Sequence, residues 1–235
     1  MLTKLLGSET AAEGTMLFRL QKPEGFDFNA GQSIDLTLID PPETDAEGDK
    51  RAYSLCSAPY EPELQVAMRM RDTAFKRVLK SLPAGTELRL DGPFGTMVLH
   101  EDVTRPAVFV AGGIGVTPFR SMVLDALHRN VSHTMYLFYS NRRPEDTAFL
   151  SELSEHVSAT FIFVPTMTMI EQSKVAWHGE TGFITSSMIK KYVPPDARPI
   201  YYLAGPEAMV TAMRTLLQGD GVPSDDIRYE EFSGY

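Results

Sequence analysis

Residues 107–127 read Ala107-Val-Phe-Val-Ala111-Gly112-Gly113-Ile114-Gly115-Val116-Thr117-Pro118-Phe119-Arg-Ser-Met122-Val123-Leu-Asp-Ala126-Leu127. An unbroken apolar run, Val108 to Ala111, passes through Gly112, Gly113 and Gly115 into a segment where Phe119, Met122, Val123, Ala126 and Leu127 recur at i, i+3, i+4, i+7 and i+8. This order predicts a buried strand, a tight glycine turn and an amphipathic helix, with Thr117 placed to cap the helix and Pro118 in its first turn. Backbone amides at such a turn can receive an anionic group. The pattern is not a strict Gly-x-Gly-x-x-Gly, because Pro118 stands where the third glycine would be.

The chain downstream repeats the same alternation. Apolar runs at Met135–Tyr139, Thr160–Val164 and Ile200–Ala204 are separated by helical stretches, including one from Pro206 to Gly219 whose Met209, Val210, Met213, Leu216 and Leu217 form a single core-facing stripe. Strands alternating with helices predict a doubly wound α/β parallel sheet. The half before residue 99 differs: short alternating segments at Thr15–Leu20, Ser33–Ile39, Ala52–Cys56, Leu64–Met70 and Glu87–Leu90 are punctuated by Gly and Pro, with one helix expected between Thr73 and Leu82. Many short strands and one helix predict an antiparallel β-barrel. The expectation is two domains, 1–99 and 100–235.

The chain has 235 residues and a formal charge of −9, which argues against nucleic-acid binding through Lys and Arg. No apolar run is long enough to span a bilayer, and Met1 to Leu6 lacks a secretory leader, so the expected location is the cytoplasm. Cys56 is the only cysteine, so this chain alone makes no disulfide and no cysteine-ligated iron–sulfur cluster. The five histidines show no ligand spacing, and no metal site is expected. Charge is uneven: Asp40, Glu43, Asp45, Glu47 and Asp49 crowd an acidic loop expected to be mobile, whereas Lys50, Arg51, Arg69, Arg71, Lys76, Arg77 and Lys80 follow it. That basic stretch reads either as an ordinary solvated surface with a few ligand contacts or as a face that steers an acidic protein partner.

Arg51-Ala52-Tyr53-Ser54 places a cation, a flat ring and a hydroxyl on one strand. A guanidinium matches phosphate oxygens, and a phenol offers an apolar face with a polar tip. Further on stand Met68-Arg69 before Thr73, the turn Gly92-Pro93-Phe94-Gly95, the glycine turn already described, Tyr139-Ser140-Asn141-Arg142-Arg143, Ala204-Gly205-Pro206 and the terminal Glu230-Glu231-Phe232-Ser233-Gly234-Tyr235. In that order these motifs resemble the ferredoxin-NADP reductase superfamily over nearly the whole chain.

The resemblance implies an N-terminal FAD-binding barrel and a C-terminal NAD(P)-binding domain. Arg51 would pair with cofactor phosphate, Tyr53 would stack on the isoalloxazine and Ser54 would hydrogen-bond its N5 edge. Met68, Arg69 and Thr73 would continue the flavin site, the last at a helix start that suits a pyrophosphate. Gly112, Gly113, Gly115 and Thr117 would receive the nicotinamide nucleotide, together with Gly205 and Pro206, and Ser140, Arg142 and Arg143 would meet its adenosine ribose, with NADPH slightly favoured over NADH. Ala204 stands where the family carries a cysteine. Glu230 would relay a proton to reduced flavin and Tyr235 would cover the ring. The implied activity is an FAD-dependent NAD(P)H reductase that passes a hydride to flavin and then single electrons to an external acceptor such as an acidic ferredoxin, a flavodoxin or an oxygenase component. Direct reduction of a quinone, ferric chelate or free flavin, or a subunit of a larger redox complex without turnover of its own, are the alternatives.

Overall fold

The computed structural model of the protein describes residues 1–232. Six strands make the first half: β1 (Leu2–Ala12), β2 (Thr15–Gln21), β3 (Ser33–Leu38), β4 (Lys50–Ser54), β5 (Glu63–Arg69) and β6 (Glu87–Phe94), with helix α1 (Ala74–Ser81) between β5 and β6. All pairings are antiparallel and the sheet order is β4-β3-β6-β1-β2-β5. Inward residues such as Phe18, Leu20, Ile34, Leu36, Val66, Leu88 and Leu90 close on Phe75, Val78 and Leu79 of α1. The end strands meet at one point, where the Cys56 amide donates to the Gln65 carbonyl at 2.9 Å. No ladder joins β4 to β5 beyond it among the described residues, so the barrel stays open between them.

β1 has no counterpart in the sequence reading, for a physical reason. Its inward positions include Thr3, whose hydroxyl donates to the Gln21 carbonyl at 2.6 Å, while Leu2 and Leu6 face outward. Apolar alternation is thereby inverted at the strand's start, although the strand pairs on both edges.

The second half runs β7 (Ala107–Gly112), α2 (Thr117–His128), β8 (Met135–Asn141), α3 (Leu150–Glu155), β9 (Phe161–Met167), β10 (Glu180–Thr181), α4 (Ser186–Tyr192), β11 (Ile200–Pro206), α5 (Glu207–Gly219) and β12 (Ile227–Phe232). The strands are parallel in the order β10-β9-β8-β7-β11-β12. Each residue of β7 is buried, as a strand covered on both faces must be. From β7 the chain winds outward through β8 and β9, then returns to β11 on β7's other side. The reversal between β7 and β11 is where open α/β sheets bind ligands. No described helix is long and apolar enough to cross a membrane.

Thr117 does not cap α2 as expected. Residues Gly113–Val116 already form a turn of 3-10 helix that runs straight into α2, so Val116 is helical and the Thr117 hydroxyl donates instead to the Ile114 carbonyl at 3.0 Å. A cap needs an extended residue at the boundary, and the extended residue here is Gly112. The N-terminus of the helical run therefore lies at the glycines, one turn earlier.

The halves are locked together by Arg120 of α2. Its guanidinium donates to the Cys56 carbonyl (2.6 Å), Glu61 (3.1 Å) and Glu152 (2.6 Å), with the side chain only 6% exposed. Ser121 donates to the Ser57 carbonyl at 2.7 Å, and Arg143 reaches Glu13 at 3.0 Å. Removing the cation strands two carboxylates and a buried carbonyl, so Arg120→Met is expected to lower unfolding free energy by about 3 kcal/mol, against about 0.5 kcal/mol for Arg129→Met on the surface of the same helix, by urea denaturation.

Under the connection between the halves, His133 is buried with neither ring nitrogen hydrogen-bonded, edge-on to His100 at 4.6 Å between centroids. Burial, and next the neighbouring His100, push its pKa below the usual histidine value. Below the ordinary value the unfolded chain binds a proton that the folded chain refuses, so stability is lost as pH falls from neutrality. His133→Leu should lose less unfolding free energy than the wild type between pH 7 and pH 5, measured by denaturant titration at both.

Candidate functional site

A cavity of about 330 Å³ opens where the barrel faces the switch point of the parallel sheet. Ala52, Tyr53 and Ser54 of β4 form one wall, Ala67, Met68 and Arg69 of β5 the next, and Lys76 of α1 closes that side. From the other half come Ile114, Thr117, Glu230, Glu231 and Phe232. The unpaired edge between β4 and β5 is thus the floor of the site, and two short helical starts and β12 form its roof.

Tyr53 packs its ring 6.1 Å from Phe75, yet its hydroxyl is buried with no hydrogen-bond partner among the described residues. Burial holds the phenol proton firmly, raising its pKa. A buried hydroxyl without a partner, on a wall of an open cavity, is a donor and acceptor waiting for a ligand atom. Ser54 is buried beside it on the same wall. Lys76 donates to the Arg69 carbonyl at 2.8 Å, and burial, then the charges of Arg71 and Arg51, lower its pKa. Cys56, just past β4, is fully buried and its thiol is pushed up to about 12, which leaves it unreactive near neutral pH.

Thr73 sits where expected, as N-cap of α1, its hydroxyl accepting from the Lys76 amide at 3.4 Å. Arg51 is less simple. Both terminal nitrogens are already engaged: one donates to the carbonyls of Glu47, Gly48 and Lys50, the other meets the carboxylates of Asp45 (2.9 Å) and Glu47 (3.0 Å). The acidic loop read as mobile is held in place by these bonds.

At the switch point, a Cβ on Gly115 would lie 2.2 Å from the Ala204 carbonyl oxygen. Gly205, at φ 151°, lies close to Gly112 as well, since its Cβ would be 3.0 Å from both the amide nitrogen and the carbonyl oxygen. The two turns touch backbone to backbone, and Pro206 adjoins the start of α5. This contact turns Ile114 and Thr117 toward the cavity and leaves Gly113 at the entrance of the helical run. Glu230 pairs in register with Ala204, and its Oε1 is 3.5 Å from where a side chain on Gly95 would begin. Burial raises its pKa above the usual carboxylate value.

Ser140 ends β8 beside Gly112. The two arginines after it diverge: Arg143 is clamped by Asp146 at 2.9 Å and by Glu13 at 3.0 Å, whereas Arg142 is exposed and its guanidinium meets no carboxylate among the described residues. Tyr235 lies outside the described residues. Lys76, Ile114, Phe232 and Asn141, whose buried amide nitrogen is unpaired among the described residues, are given no site role by the sequence. Lys76 had a signal, standing three residues beyond the Thr73 cap, while the others are placed by tertiary contacts alone.

Residues 109–215 match the family described as an oxidoreductase NAD-binding domain, which covers β7 to most of α5. Ferredoxin–NADP reductase B of Sorangium cellulosum is 30% identical over 218 residues, spanning 89% of this chain and 87% of that one. The reductase component of propane 2-monooxygenase from Rhodococcus jostii is 28% identical, over 90% of this chain but 57% of its own length. Among solved structures, a ferredoxin NADP+ reductase from Neisseria gonorrhoeae with bound FAD and NADP superposes with a TM-score of 0.81 at 22% identity, covering 98% of both chains. The cytochrome P450 reductase of Amycolatopsis gives 0.82 at 25% identity over 98% of this chain and 69% of that one. An antiparallel barrel thus abuts a domain of the oxidoreductase NAD-binding type, with the cavity walled by both. The chain belongs to the ferredoxin-NADP reductase superfamily, and it spans about three fifths of the length of the oxygenase reductase components that it matches.

Gly115→Ala should destabilise the protein by about 1–3 kcal/mol, because the new methyl must push β11's backbone away from the turn. Thermal unfolding alongside Gly219→Ala, where nothing lies within 4 Å, separates that contact from a general effect of losing glycine.

Proposed function

We propose that the protein is an FAD-dependent NAD(P)H oxidoreductase whose electrons pass singly to an external acceptor, a ferredoxin, a flavodoxin or an oxygenase component, in the cytoplasm. The observation that carries this reading is the cavity shared by the β4–β5 gap and the β7–β11 switch point. The residues present fit a flavin: the volume lies within the range of small-molecule sites, and Tyr53 offers on its wall a buried hydroxyl unpartnered among the described residues. When bound, FAD supplies two-electron acceptance from a nicotinamide and one-electron release.

The chain's own residues then divide the work. Tyr53 and Met68 hold a planar ring between β4 and β5, and Ser54 offers a hydroxyl along the same wall. Gly113 and Gly115, in a backbone that approaches Ala204 closely, leave amides and open space for a second nucleotide, so that two rings can be held in contact. Phe232 and Ile114 keep water from the contact. Glu230, with its pKa raised, retains a proton above the usual carboxylate range and can pass it into the cavity. Arg142, the exposed arginine after β8, suits the 2′-phosphate of NADPH. Names of relatives support the acceptor class, since they include a ferredoxin–NADP reductase and oxygenase reductase components.

Anaerobic titration of the purified protein is the test. A yellow protein bleached by NADPH at lower concentration than by NADH is the expected result, and Arg142→Ala should raise the NADPH requirement about tenfold while leaving NADH and the Arg143→Ala response nearly level. A colourless chain that FAD cannot reconstitute would overturn the reading.

A further inference from the structure

The segment between β3 and β4 contains Asp40, Glu43, Asp45, Glu47 and Asp49, and it is bonded to Arg51 of β4 and to Ala74 and Arg77 of α1. Asp45 is its pivot. One carboxylate oxygen accepts from Arg51 at 2.9 Å and from the Glu47 amide at 3.0 Å, and the other accepts at 3.0 Å from the amide of Ala74, the first residue of α1. Glu47 adds a second carboxylate on Arg51, and Glu43 holds Arg77 of α1 through two hydrogen bonds of 3.0 and 2.6 Å. Burial raises the Asp45 pKa, but the hydrogen bonds from Glu47, Arg51 and Ala74 outweigh it and the carboxyl sits below its ordinary value.

A guanidinium together with a helix N-terminus makes an anion receptor. Here a carboxylate from the same chain fills it. The terminal nitrogens of Arg51 are taken up by the loop's Glu47 and Gly48 carbonyls and by its Asp45 and Glu47 carboxylates, with the Lys50 carbonyl of β4 beside them. A cofactor phosphate on these nitrogens would have to displace the loop's carboxylates. The connection is also the part of the barrel with least to hold it otherwise: Glu43, Thr44, Ala46 and Glu47 are exposed, and no residue from 39 to 49 belongs to the barrel's buried cluster.

We propose that the 41–49 segment is an internal competitor for the flavin's phosphate site, with Asp45 standing in for a phosphate on Arg51 and on the start of α1, and that FAD binds by displacing it. The proposal rests on the FAD reading above and adds a cost to it. The apparent affinity is the intrinsic affinity reduced by the fraction of molecules whose loop has swung away. An acidic segment near an anion site also repels a free phosphate until it moves, so the empty protein is kept from binding stray anions at this surface.

Asp45→Asn keeps the shape of the side chain and removes its charge. The flavin dissociation constant, read by quenching of FAD fluorescence on titration into stripped protein, is expected to fall about tenfold in Asp45→Asn and further in Asp45→Asn/Glu47→Gln. Hydrogen exchange of residues 42–50 in the wild type should speed up as FAD is added, because the loop gives up its partners. An equal or weaker affinity in both variants, or slower exchange of the loop with FAD bound, would overturn the competitor and leave the flavin reading standing. Failure of all three proteins to bind FAD, with unchanged thermal unfolding, would remove the flavin reading and the competitor with it.

Discussion

An incomplete barrel is the constraint from which the rest of the molecule follows. Six antiparallel strands bury a full apolar core, yet the first and last in the sheet, β4 and β5, join among the described residues only at Gln65, which accepts from the Cys56 amide and donates to the Ser57 hydroxyl. Open backbone edges at a sheet are ordinarily a liability. In this protein the second domain covers the opening. Arg120 enters beside the one point of closure and takes the Cys56 carbonyl, so the bond that ends the barrel is also the point at which α2 is anchored. The cavity lies just beyond, where the strands part.

The opposite side of the cavity depends on contact between two backbones. Gly115 and the Ala204–Gly205 segment approach too closely for a side chain at either glycine, which brings the ends of β7 and β11 together at the reversal of the sheet. A helical run that begins at Gly113 rather than at Thr117 carries its N-terminus to that same point. Fold and site are therefore coupled through sterics: the tight turn sets the strand order's crevice and also empties the space in which a nucleotide can lie. Glu230 enters from β12 because that strand pairs in register with β11.

Charge follows a different logic from that suggested by counting residues. The basic stretch after residue 50 looks available, yet Arg51, Arg77 and Arg143 are each held by carboxylates, two of them by the acidic loop just upstream. Of the pair after β8, Arg142 alone is left to face solvent. An excess of acidic residues in this chain is thus partly an internal matter, with carboxylates resting on the chain's own cations.

The sequence by itself determined the two kinds of domain, because period-two alternation before residue 99 and buried runs separated by helical stripes after it are local consequences of which face each element must bury. It also determined the chemistry-bearing motifs: Tyr53, Ser54, Met68, Arg69, Thr117 and Glu230 all line the cavity, and Thr73 caps α1 as its position implies. β1 was illegible because a hydrogen-bonded threonine replaces an apolar residue on its inner face, and the two-residue β10 is too short to show a period. Only the tertiary structure decided that the helical run starts at the glycines, that Lys76, Ile114 and Phe232 join the site, and that Arg51 and Arg143 are already bound. Each of these depends on atoms distant in the chain meeting within hydrogen-bonding or van der Waals range, and no local pattern of residues carries that distance.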